Sequence, residues 1–197
     1  MPRSSEARDY APEEVVEIVR MFEAPRALVW RLWSEPEHRL RWWGPEGMGL
    51  KLLEMDFREG GAWRMVMRHV SGYDHAVHGT FSEVREPSRL CFTYINDNDM
   101  HETLVTMDFI DHGTRTEMRF RQAGFTSLEQ RDAHNWGWNS TFGLFDLYAP
   151  SVARVDPRPV GAPRIEGTAP DMVAAKERWD YELVHGFKGK WNPGDPR

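Results

Sequence analysis

The sequence predicts an α+β fold: a curved antiparallel seven-stranded sheet wraps a long C-terminal helix, and two short helices follow the first strand. Three observations predict it. Seven stretches have the alternation or β-branched density of strands. Two short apolar-faced segments stand between the first strand and the rest. Residues 127–148 keep one apolar helical band. A sheet with one dry face needs a layer to cover it, and that helix supplies it.

Each element has a local reason. Residues 14–22, rich in Val and Ile, read as the first strand, and Ala24-Pro25 stops it. Pro25 suits the first turn of a helix, where a missing N–H costs nothing, and Leu28, Val29, Leu32 and Trp33 share one face. Ser34 and Glu37 have capping-box spacing for a second short helix that reaches Trp43 and ends at Gly44-Pro45. Strands are then expected over 50–55, 62–70, 73–85, 89–95, 102–110 and 114–122. In the third strand Trp63, Met65, Met67 and His69 share a face. In the fourth, 73–85, the faces cannot be assigned. The last is the cleanest, with Thr116, Met118 and Phe120 alternating against Arg115, Glu117, Arg119 and Arg121. The long helix carries His134, Trp138, Thr141, Phe142, Phe145 and Tyr148 on its band, while Trp136 and Leu147 fall off it.

After Pro150 the composition shifts, and residues 150–197 hold seven of the 13 prolines. This divides the chain into a domain over 1–150 and an extension over 151–197. The extension reads as an extended connector followed by a helix over 171–187. Trp179 and Trp191 imply that it docks, either on a partner subunit in a homodimer or over its own domain.

Composition excludes several functions. The net charge of −6 argues against a nucleic-acid footprint and against anionic membrane surfaces. One cysteine, Cys91, rules out an internal disulfide framework. Neither a signal peptide nor a membrane-length apolar run is present, so a cytoplasmic protein is expected. No phosphate loop, dinucleotide fingerprint or Ser-His-Asp order occurs, and no cofactor is expected. The histidine spacings do not converge on a metal, and none is expected.

A bent sheet gripping a helix leaves a cavity, so core and pocket lining are one surface. The candidate lining is Trp42, Trp43, Trp63, Met65, Met67, Phe92, Met107, Met118, Phe120, Trp138, Phe142 and Phe145. One of Trp42 and Trp43 is expected to pack and the other to face the pocket. His134 is either a cavity acid–base group or a core histidine held by a backbone carbonyl. His69 and His78 are the other polar candidates, although His69 reads more readily as a strand-end residue near solvent. His75 and His78, three apart, point to opposite faces of a strand. His101 is expected to be exposed.

The motifs in order are Ala24-Pro25 with Val29-Trp30, Pro36-Glu37-His38, Trp42-Trp43-Gly44-Pro45, Asp56-Phe57-Arg58-Glu59-Gly60-Gly61, His78-Gly79, Pro87-Ser88-Arg89-Leu90 and His134 with Gly137-Trp138. Together they resemble the START-like (SRPBCC, helix-grip) superfamily, and within it the homologues of the activator of the heat-shock-protein-90 ATPase, over about residues 14–149. The resemblance implies a helix-grip fold that binds a small, largely apolar, ring-containing ligand under the helix. It also allows a cyclase or lyase-type enzyme of secondary metabolism in the same cavity. A chaperone ATPase cofactor ranks third, since only about a dozen residues precede the first strand and leave no room for the activator's other domain. Fold alone does not choose among these.

Overall fold

The computed structural model describes residues 10–155. After a 3-10 turn at Pro12–Glu14 the elements run β1 (Val15–Phe22), α1 (Arg26–Ser34), α2 (Pro36–Trp42), β2 (Met48–Met55), β3 (Ala62–His69), β4 (Asp74–Arg85), β5 (Arg89–Asn96), β6 (Glu102–Asp111), β7 (Thr116–Ala123) and α3 (Leu128–Val155). The strands form one sheet in the order β1-β7-β6-β5-β4-β3-β2, every pair antiparallel. This is the expected helix-grip fold. The first two strands in sequence lie at opposite edges, so α1 and α2 bridge the sheet from one edge to the other.

Strand parity decides the core. Phe22, Met118, Phe120, Met107, Phe109, Phe92, Trp63 and Met65 are all buried on the side that α3 covers. Phe145 of α3 meets Phe22 at 4.5 Å between ring centroids, and Phe142 meets Phe120 at 5.4 Å. Arg20, on the same side of β1, reaches across to Asp146 at 3.3 Å and to the Asn139 side-chain oxygen at 3.0 Å. The same stretch of the helix band also packs under α1 and α2. There Trp33 contacts Trp42, Trp43, Phe109 and Phe142 at 5.0–6.4 Å between centroids. Arg39 lies fully buried over the faces of Trp33 and Trp43, and its Nε donates to the Trp33 carbonyl at 2.7 Å. Burial lowers its guanidinium to about 9.

Two local expectations are corrected, and the faces of one strand are now assigned. Ser34 does not cap α2. It is the last residue of α1, and Glu35 stands at the N-cap with Pro36 in the first turn, the position where proline is pre-organised. The helix expected over 127–148 does not stop at Tyr148 but runs through Pro150 to Val155. Ala149 and Val152 extend the buried band of Phe142 and Phe145 by two more steps, and that burial offsets a cost of about 3 kcal/mol for an interior proline. In β4 a bulge between Phe81 and Glu83 reverses the alternation midway, so Val77 and Phe81 face inward before it and Val84 packs on the core after it. The helix expected over 171–187, Trp179, Trp191 and the homodimer through the extension lie outside the described residues.

Candidate functional site

One cavity of about 330 Å³ opens between the N-terminal half of α3, the end of β5 and the starts of β4 and β6. Its apolar wall includes Trp43, Met48, Met67, Phe125 and Trp138. Its polar groups come from His75, Tyr94, Asn96, Asp99, His101, Gln130 and His134. Helical spacing brings Gln130, Ala133, His134, Gly137, Trp138 and Thr141 to the same side. Ser127 fixes where that helix starts, because its Oγ accepts from the Gln130 backbone N–H at 3.2 Å. Gln130 then donates to Asp99 at 3.2 Å, tying the first turn of α3 to the β5–β6 turn. On the other side Gly44 leaves α2 at φ 116°, where a Cβ would stand 2.9 Å from the Met48 carbonyl oxygen. The following Glu46 N–H donates to Ser140 Oγ at 2.8 Å, which holds this loop against α3.

A hydrogen-bond chain under the cavity fixes the state of His134. The Trp138 indole N–H can only donate, and its partner 2.6 Å away is Gln122 Oε1. The amide nitrogen of Gln122 must then face Thr103, to whose Oγ1 it donates at 2.7 Å, and Thr103 donates on to the Tyr94 carbonyl. His134 Nδ1 lies 3.1 Å from the same Gln122 oxygen. An oxygen can only accept, so Nδ1 carries the proton and Nε2 is left as an acceptor. Nε2 hydrogen-bonds none of the described residues and is not sealed in protein.

Tyr94 stands beside it, its ring 5.3 Å from the imidazole and nearly perpendicular. Tyr94 is buried, and its hydroxyl hydrogen-bonds none of the described residues. Burial lowers His134 to about 4, with smaller like-charge effects from His75 and His101 and an opposing pull from Asp99. Burial also lowers His75 and raises the Tyr94 phenol. All three are therefore neutral near neutral pH. Among the described residues no group of three or more His, Cys, Asp or Glu side chains is placed to hold a metal ion.

Residues 23–149 match the family model described as Activator of Hsp90 ATPase homolog 1-like protein. The chain belongs to this family. A solved structure from Chromobacterium violaceum is similar at 26% identity and a TM-score of 0.65, over 70% of this chain and 98% of that one. The AHSA1 protein of Silicibacter pomeroyi is similar at 24% identity and 0.62, over 72% and 99%. CalU16 from Micromonospora echinospora is similar at 18% and 0.56, over 86% and 88%. No curated protein matches the chain.

Within this AHSA1-like fold the sequence candidates separate. Trp43, Met67, His134 and Trp138 line the cavity. Trp42 packs instead, its indole N–H donating to the Leu32 carbonyl. Trp63, Met65, Phe92, Met107, Met118, Phe120, Phe142 and Phe145 are buried and do not line it. His69, at the end of β3, has its Nδ1 2.9 Å from Ser71 Oγ and stays outside the cavity. His78 pairs with Arg64 on the outer face, where its Nδ1 donates to Asp97 at 2.6 Å. His75, opposite Met67 on β3, takes the inward position. His101 is not a free surface residue: it lines the cavity, and its Nε2 donates to the Gly124 carbonyl at 2.8 Å. Gln122 was missed altogether, although it continues the inward parity of Thr116, Met118 and Phe120. Among the described residues no helix is long and apolar enough to cross a membrane.

Proposed function

We propose that this protein binds a small, largely apolar, ring-containing molecule in the cavity beside His134. One observation carries this. Beside the ring-packed core a hollow of about 330 Å³ opens, and two polar atoms of its lining residues, Tyr94 Oη and His134 Nε2, bond no described residue. Protein interiors rarely leave space or polar atoms unused. The fold adds support, since START-like proteins commonly take hydrophobic ligands. A guest the size of an indole buries about 200 Å². That yields about 5 kcal/mol gross, against association costs of about 4 kcal/mol or more. Apolar burial alone gives weak binding, so the polar wall decides which ring compound stays.

Titrating naphthalene-sized lipophiles against tryptophan fluorescence tests the proposal, because Trp43, Trp136 and Trp138 all line the cavity. Binding should quench emission and raise Tm. Ala133→Phe and Gly137→Leu project bulk into the hollow and should abolish both effects, while the variants stay folded. A set of such probes that neither quenches nor stabilises ends this proposal.

A second function, acid–base catalysis of the cyclase or lyase type, is favoured by one arrangement. His134 Nε2 is a fixed acceptor oriented from behind by Gln122, and the ring of the phenol Tyr94 lies 5.3 Å from the imidazole. Guests recovered unchanged after long incubation count for binding alone. Conversion that His134→Gln removes while binding persists counts for catalysis. A co-chaperone role rests on the family's description, and no residue described here adds to it.

A further inference from the structure

Resting on the binding function proposed above, we infer that the guest is an uncharged ring compound bearing a hydroxyl, which donates to His134 Nε2 and accepts from Tyr94 Oη. The inventory of the wall supports this. His134 Nε2 is an obligate acceptor, because Trp138 and Gln122 hold the proton on Nδ1. His101 donates through Nε2 to the Gly124 carbonyl, so that nitrogen is already engaged. Asn96 Oδ1 accepts from the Asn98 N–H, which leaves its Nδ2 as a donor. Tyr94 Oη can both give and receive. A hydroxyl is the smallest group that satisfies a fixed acceptor and an amphoteric neighbour at once.

The same wall works against an anion. Among the described residues no lysine or arginine lines the cavity, and Asp99 stands at its rim. A carboxylate would face the His134 lone pair and that negative charge with no lysine or arginine to meet it. A cation would gain Asp99 and the faces of Trp43 and Trp138. It would still be desolvated in a site where burial already keeps His75 and His134 neutral. The balance favours a guest with no charge.

Four matched probes separate these cases on the full chain at neutral pH: naphthalene, 2-naphthol, 2-naphthoate and 2-naphthylmethylammonium. Calorimetry and tryptophan quenching should rank 2-naphthol first, about tenfold tighter than 2-naphthoate and about threefold to tenfold tighter than naphthalene. Tyr94→Phe removes one atom and should erase most of the advantage of the naphthol over naphthalene. His134→Leu should do the same, and a cooperative thermal melt shows that each variant is folded. If the naphthoate or the ammonium binds tightest, or all four bind alike, the inferred class is wrong while the cavity still binds rings. If the naphthol keeps its advantage in both variants, these two atoms do not hold the hydroxyl. If no probe binds at all, the binding function itself falls.

Discussion

Two halves of the same interior have opposite character. Under α1 and α2, Trp33, Trp42, Phe109, Phe142 and Phe145 meet ring on ring, and even the buried cation Arg39 is packed between two indoles. Under the first turns of α3, Tyr94, His75 and His134 border open space. Both halves are covered by one helix and one sheet. The difference comes from what the helix presents. Toward the short helices it offers Phe142, Phe145, Ala149 and Val152, all buried. Toward the cavity it offers Ala133, His134 and Gly137, which do not reach across. Stability and binding are thus assigned to different turns of one element.

The largest test is in the filled half. Trp33→Ala should cost about 3–5 kcal/mol in chemical denaturation, as a large ring leaves a gap its neighbours cannot close. A loss below about 1 kcal/mol would mean that this half is loosely packed and the contrast false. Next comes pH. Folded His134 stays neutral down to about 4, whereas an exposed histidine titrates near 6.5. The unfolded chain therefore takes up that proton first. Stability should be intact above 6.5, fall by about 3 kcal/mol as pH drops toward 4, and level off below. His134→Gln should flatten most of that slope in Tm measured against pH. A shallower slope of the same sign should remain from His75, which burial also keeps neutral. A wild-type profile that stays flat from 6.5 to 4 would place the imidazole in water.

Smaller effects sharpen the boundary between the halves. Gln122→Leu strands the indole N–H of Trp138 and the Nδ1–H of His134, and should cost about 1–3 kcal/mol. A neutral result would dissolve the chain of donors described above. The smallest effect has the opposite sign. A Cβ on Gly137 meets nothing within 4 Å, so Gly137→Ala should stabilise α3 by about 0.5–1 kcal/mol. Destabilisation there would mean that the hollow is smaller than its wall suggests.

The fold was legible because five of the seven strands run without a bulge and α3 keeps one band. β4 was not, because its bulge at Ser82 changes parity inside a single strand, and His75 lay on the side that could not be assigned. The end of α3 was misjudged because Pro150 is a local signal, while the burial of Ala149 and Val152 is a tertiary one. The cavity was legible only as an inward face. Alternation tells which side chains point in, but not which of them the helix touches. Phe120 and Trp138 are both inward and only 4.6 Å apart between centroids, yet Trp138 borders the hollow and Phe120 does not. Gln122 could have been found by extending the parity of β7 by one step.

Trp138 has a consequence beyond filling space. Its single N–H dictates which way a neighbouring amide must turn, and that amide dictates where an imidazole keeps its lone pair. Swap the indole for phenylalanine, and the amide gains freedom to rotate and the imidazole a choice of tautomers. The taste of the pocket, proton giver or proton taker, is thus written one residue back from the surface a visitor touches.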